Sequence, residues 1–268
     1  MSVAKEQREK LIWEFPNIGK KAPEQEEKAF AYCEGYKEFL NAAKTEREFV
    51  REAVLRLKEA GYEEFEEGKI YQPGDKVYQI NRKKALLMST FGKRPLEDGV
   101  RINVAHIDSP RLDLKPNPLY EKAEAAYFKT HYYGGIRKYQ WATIPLAMHG
   151  VVILKDGTSV DICIGEKEGD PVFCVTDLLP HLAAQQNERK LKDGIKGEEL
   201  NIIVGSLPYP CEEEDSIKEP VKLLALSILN ERFGMTEKDF LRAEIEFVPA
   251  VKATDVGLDR SLVGAYGQ

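Results

Sequence analysis

Residues 100–110 read VRINVAHIDSP. The first six of these, residues 100–105, have the composition of a strand and run straight into His106. In open α/β sheets, ligands collect beyond the carboxyl ends of the strands. An imidazole delivered there is placed to bind a metal ion. Asp108 follows two residues later and can accept a hydrogen bond from the ring N–H that faces away from a metal. Such a partner fixes the tautomer and raises the basicity of the ligating nitrogen. Pro110 stiffens the exit from the strand. Taken alone, the pattern is a weak signal, since structural His–Asp pairs are common.

Towards the N-terminus, residues 76–80 and 85–88 read as two further strands around a turn at Asn81-Arg82-Lys83. Ahead of them lie two helices. Residues 25–43 place Phe30, Cys33, Phe39 and Leu40 among charges, with a weak point at Gly35. Thr45 and Glu48 have capping-box spacing, and Phe49, Val50, Ala53, Val54 and Leu57 follow with helical period up to Gly61.

Towards the C-terminus the chain turns β-rich. Residues 151–154 and 160–164 flank Lys155-Asp156-Gly157 as a hairpin, and residues 172–175 add a strand. Thr176 or Asp177 is placed to cap a helix with Pro180 in its first turn, running through His181 to about Lys190. Residues 188–199 read as an exposed charged loop, 201–207 as a strand, and 208–220 as a loop whose acidic run at 212–215 is solvated surface. Pro220 opens an apolar helix that closes at Gly234, and Thr236 caps another turn. Residues 242–248 alternate Ala243, Ile245 and Phe247 with Glu244 and Glu246, the pattern of a half-buried strand. This order implies an α/β domain interrupted by an inserted β-rich block.

Apolar residues make up 43% of the 268 and charged residues 31%, with 39 Lys and Arg against 45 Asp and Glu for a net charge of −6. That composition excludes a disordered chain and argues against a nucleic-acid or anionic-membrane partner. No apolar run approaches the roughly 20 residues of a membrane span. The opening MSVAKEQREKL lacks the apolar stretch of a signal peptide. Cys33, Cys163, Cys174 and Cys211 form no C-x-x-C pair, which suits reduced thiols in the cytoplasm. Cys163 and Cys174, in expected strands, read as small buried hydrophobes. Of the four histidines, His131, His149 and His181 read as structural or exposed.

Five segments together change the weight of the His–Asp pair. HIDSPRLDLKP (106–116), Tyr133-Gly134-Gly135, WATIPLAMHGVV (141–152), LLPHLA (178–183) and VPAVKATDVGLDRSLVGAYGQ (248–268) resemble, in the same order, segments of the aspartyl aminopeptidase family of zinc metallopeptidases. The resemblance covers nearly the whole chain. It implies a three-layer α/β/α zinc-peptidase domain, incomplete here, interrupted by an inserted β-rich oligomerisation domain. Residues 1–109 would be the first part of the catalytic domain, 110–238 the inserted dimerisation domain, and 239–268 an incomplete second part. It further implies two zinc ions, with His106 as a terminal ligand and Asp108 as the catalytic carboxylate that orients it. The substrates implied are peptides that lose their N-terminal residue, acidic residues being preferred, and the partners are further copies of the same chain, as dimers within a larger homo-oligomer.

The sequence departs from this pattern in two places. The family's bridging aspartate, its Glu-Glu pair with the general base, a further aspartate and a last histidine follow the GAYGQ segment, and the chain stops at Gln268. A histidine that some members carry four positions after the one in LLPHLA is Gln185 here. Asp255 and Asp259 read as structural, and Lys252 and Arg260 are weak candidates to meet an acidic substrate. The chain alone is therefore expected to be inactive. The competing expectation is a non-catalytic oligomerising scaffold, or an inactive fragment of the aminopeptidase.

Overall fold

The structure, a computed structural model, describes residues 3–13, 22, 24–210 and 217–267. Cys211 and the acidic run at 212–215 lie outside the described residues. In chain order the elements are α1 (Val3–Leu11), α2 (Glu24–Ala42), α3 (Glu46–Glu59), β1 (Glu63–Glu64), β2 (Lys76–Asn81), β3 (Ala85–Thr90), β4 (Arg111–Lys122), β5 (Ala125–Tyr133), β6 (Leu146–Ile153), β7 (Ser159–Ile164), β8 (Cys174–Val175), α4 (Ala184–Asn187), β9 (Ile202–Gly205), α5 (Pro220–Phe233), β10 (Ala243–Pro249), β11 (Thr254–Val256) and β12 (Leu262–Gly264).

Helix α3 forms where its local signals place it. The Thr45 hydroxyl accepts from Glu48 N–H at 3.3 Å, and the Glu48 carboxylate accepts from Thr45 N–H at 3.1 Å. At the other end Gly61 takes φ +81°, so that its N–H reaches Lys58 O and Tyr62 N–H reaches Leu57 O. These two bonds satisfy the last carbonyls of the helix. Helix α2 runs through Gly35 without a break. Helix α5 opens at Pro220, and its first N–H groups are capped from a distance: Glu121 of β4 accepts from Val221 N–H at 2.9 Å and Lys222 N–H at 3.0 Å. Its buried residues Val221, Ala225 and Leu229 repeat every four positions, one face of a helix.

Three sheets follow. The first orders β1-β2-β3, the second is antiparallel with the order β7-β6-β10-β4-β5-β9-β8, and the third is the ribbon β11-β12. The fold is thus mixed α/β. The main core covers one face of the seven-stranded sheet, where Phe247 of β10 contacts Phe128 and Phe173, and Leu112, Met148, Ile202 and Met235 are wholly enclosed.

Several sequence expectations need correction. Residues 100–105 form no strand among the described residues, and Val100, Ile102 and Val104 are 61%, 74% and 89% exposed. Strand composition creates no strand unless a neighbour accepts the backbone hydrogen bonds, and none is paired here. His106 accordingly sits in an exposed loop and not at the end of a buried strand. The helix expected through His181 is a 3-10 turn, Pro180–Leu182, followed by the single turn of α4. Leu178, Leu179 and Leu182 stay exposed, so no apolar face is buried to sustain a longer helix. Asp177 spends its carboxylate on Leu178 N–H and the Gln186 amide. Cys163 is exposed and Cys174 half-buried, neither fully enclosed. Strand β10 lies in the middle of the large sheet between β6 and β4. Its Glu246 is buried rather than facing water.

Candidate metal-ligand loop and the buried ion row behind it

Two distant segments converge on residues 106–110. His106 Nδ1 lies 3.1 Å from Asp108 O and 3.2 Å from Asp108 Oδ1. The Tyr133 hydroxyl, at the end of β5, donates to the other carboxylate oxygen of Asp108 at 2.6 Å. Gly134, at φ +80°, allows the chain to turn against Pro110, where a Cβ would stand 3.4 Å from Pro110 Cα. Near the end of the chain, the Tyr266 hydroxyl donates to Pro110 O at 2.8 Å. The YGG and GAYGQ segments thus meet at the HIDSP loop. The hydrogen bond from Tyr133, ahead of the contact with His106, holds the Asp108 carboxyl below the usual carboxylate range. The His106 ring is 65% exposed, and among the described residues its Nε2 has no hydrogen-bond partner.

Behind the loop, strand pairing aligns a row of titratable groups that the sequence did not reveal. The register places Cys163 opposite His149, His149 opposite Glu246, Glu246 opposite Asp113, and Asp113 opposite His131. The start of α3 covers this row. Arg111 donates to Glu46 Oε1 and to Asp113 Oδ1, both at 2.8 Å, and lies 3.4 Å from Glu246 Oε2. Its guanidinium also stacks 4.1 Å over the Tyr133 ring. One cation therefore meets three carboxylates, and Oε2 of both Glu46 and Glu246 is buried without a hydrogen bond. Burial, more than the neighbouring carboxylates, pushes the Glu246 pKa up to about 8. Burial works against the Arg111 charge, but Glu246, Asp113 and Glu46 outweigh it and the guanidinium stays charged.

The adjoining cluster is balanced. His149, 3% exposed, pairs with Glu48 at 2.7 Å and Glu166 at 3.0 Å. Lys44 donates to Glu166 at 2.7 Å and to the carbonyls of Pro249 and Val251 at 3.0 Å. Burial opposes the His149 charge, but its two carboxylates outweigh burial and raise the pKa to about 9. The alternation of 242–248 and the capping box of α3 were the available signals, but neither says that the two surfaces pack on each other.

A pH dependence follows. His149 titrates near 6.5 when unfolded and about 9 in the fold, so its contribution is complete below pH 6.5 and is lost as pH rises through 9. Glu246 shifts from 4.5 to about 8, so its contribution is complete below pH 4.5 and is lost as pH rises through 8. Stability is expected to fall on the alkaline side. His149→Gln should flatten that decline, and Glu246→Gln should exceed the wild type at pH 8. Urea unfolding from pH 6 to 9.5 measures this, and an unaltered alkaline limb in both variants would refute it.

The remaining candidates play no part in this loop. His131 and His181 are exposed. Arg260 and Lys37 both bind Asp255, tying α2 to β11. Asp259 closes a turn on Ser261, and Lys252 is exposed. A metal fits one side of the loop: an imidazole nitrogen open to solvent, with a carboxylate fixed behind the ring. Among the described residues no group of three or more His, Cys, Asp or Glu is set to hold a metal ion. No helix among them is long and apolar enough to cross a membrane.

Comparison with known proteins identifies the lineage. Residues 39–268 match the family model described as aminopeptidase I zinc metalloprotease (M18). A probable M18 family aminopeptidase 1 of Clostridium acetobutylicum is 49% identical over 263 residues, covering 96% of this chain and 56% of that relative. The namesake protein of Thermotoga maritima is 49% identical over 238 residues, covering 89% of this chain and 51% of its own length. The crystal structure of an M18-family aminopeptidase from Thermotoga maritima superposes with a TM-score of 0.87 at 45% identity, covering 95% of this chain and 55% of that one. The chain thus spans about half the length of these relatives. The fold agrees with these likenesses, and the chain belongs to the M18 aminopeptidase family of zinc metalloproteases.

Proposed function

We propose that the chain supplies part of a zinc aminopeptidase that releases N-terminal residues, acidic ones foremost, from peptides. The observation that carries this reading is the His106–Asp108 pair, with its distal imidazole nitrogen open and its carboxylate held by Tyr133. When bound, zinc supplies Lewis-acid polarisation of a peptide carbonyl and makes nearby water easier to deprotonate. On this reading His106 contributes one terminal ligand through Nε2. Asp108 keeps the proton on Nδ1 and orients the ring. The rest of a two-zinc ligand set and the general base lie outside the described residues.

The same reading divides the chain into two stretches of a three-layer α/β/α catalytic unit around an inserted β-rich oligomerisation unit. On this reading the second crossing follows Pro249, a choice supported by the pairing of β10 with β6. Leu178, Leu179, Leu182 and Leu191, each more than half exposed, give the inserted unit an apolar surface suited to self-association, as dimers and then a larger homo-oligomer. We place the protein in the cytoplasm on its thiol usage.

The test is hydrolysis of Asp- and Glu-p-nitroanilide by the full-length protein, with Leu-p-nitroanilide for comparison. Cleavage that a chelator abolishes and zinc restores is expected, fastest on the acidic substrates. No hydrolysis, or hydrolysis indifferent to chelator, would overturn the proposal. The second reading, a non-catalytic scaffold, draws on the lack of a complete metal-binding group among the described residues. It requires stable oligomers with substoichiometric zinc and no turnover.

A further inference from the structure

We infer that Tyr133 is a positioning residue for His106 and acts through Asp108, an inference that rests on the proposed zinc aminopeptidase. The two carboxylate oxygens of Asp108 serve different partners. Oδ2 accepts from the Tyr133 hydroxyl at 2.6 Å, and Oδ1 lies 3.2 Å from His106 Nδ1. With both oxygens engaged, the carboxylate cannot swing about its Cβ–Cγ bond without losing a hydrogen bond. This restraint matters because the imidazole is 65% exposed and lacks a packed wall of its own.

Tyr133 can impose that restraint because its own position is fixed from the sheet. It is the last residue of β5 and pairs with Arg111, the first residue of β4. The Arg111 guanidinium lies 4.1 Å over the ring centroid and is itself anchored at 2.8 Å by both Glu46 and Asp113. The positive φ of Gly134 then turns the chain away against Pro110. A side chain on an exposed loop is thereby referenced to buried ions of the sheet and to the first turn of α3. Outer partners of this kind set the orientation and basicity of a metal-binding imidazole.

Tyr133→Phe removes the hydroxyl and keeps the ring under Arg111. In the full-length protein it is expected to weaken zinc retention, measured by chelator competition, by roughly 10–100-fold. Turnover should fall in kcat by a similar factor, with little change in KM and an unaltered melting temperature of the zinc-free protein. Tyr133→Leu, which also removes the stacking partner of Arg111, should lower that melting temperature as well. Wild-type zinc retention and kcat in Tyr133→Phe would overturn the inference while leaving the aminopeptidase reading intact. A wild-type protein that binds no zinc would overturn both.

Discussion

Replacing Arg111 by leucine is expected to destabilise the fold by about 3–5 kcal/mol, the usual cost of breaking a buried ion cluster from one side. The Arg111 side chain is 9% exposed and forms ion pairs with Glu46, Asp113 and Glu246. Leucine would fill part of its volume but leave Glu46 and Glu246 enclosed, and Asp113 half-buried, without that countercharge. Two of their oxygens already lack hydrogen-bond partners. Protonation can relieve part of the cost, so the loss should grow as pH rises. Adding Glu246→Gln to Arg111→Leu should recover part of the stability, because the amide needs no countercharge. Urea unfolding of the two variants and the wild type at pH 6 and pH 8 measures all of this. A loss below about 1 kcal/mol at pH 8 would show that the cluster is solvated and not a buried lock.

His106→Ala is expected to have the opposite profile, with a large loss of function and almost none of stability. Asp108→Ala, which removes the proposed outer partner, should lower zinc retention and kcat by roughly 10–100-fold, and His106→Ala, which removes the proposed ligand, by more than that. The ring is 65% exposed and hydrogen-bonds within its own loop, so its removal empties no core. The melting temperature of the zinc-free full-length protein should therefore stay put in both variants. Zinc content after gel filtration and p-nitroanilide turnover are the readouts. If His106→Ala keeps its zinc and its activity, His106 is not a ligand.

How much could be read from residues alone depended on the range of the forces involved. The capping box of Thr45 and Glu48 acts across three residues, and the αL turn at Gly61 across five. The hairpin at Lys155-Asp156-Gly157 closes on a single turn. Such signals depend little on the remainder of the fold, and each element they announce is present. The His106–Asp108 pair belongs to this class, since two residues of separation let the carboxylate reach the ring. The segment at 100–105 fails for the complementary reason: its composition suits a strand, but a strand exists only beside another.

The local hydrogen-bonding residues, the order of the motifs and the family were therefore legible in the chain from the outset. Register and enclosure were not. The contacts that hold the candidate ligand loop and the ion row join residues far apart: 25 positions between Asp108 and Tyr133, 65 between Glu46 and Arg111, 101 between Glu48 and His149, and 156 between Pro110 and Tyr266. The alternation of 242–248 reads the same whether its acidic face meets water or the start of a helix. It is the packing of α3 across β10 that turns Glu246 from a surface charge into a buried acid. It likewise makes Arg111 the anchor beneath Tyr133, because burial removes the water that would otherwise screen these charges.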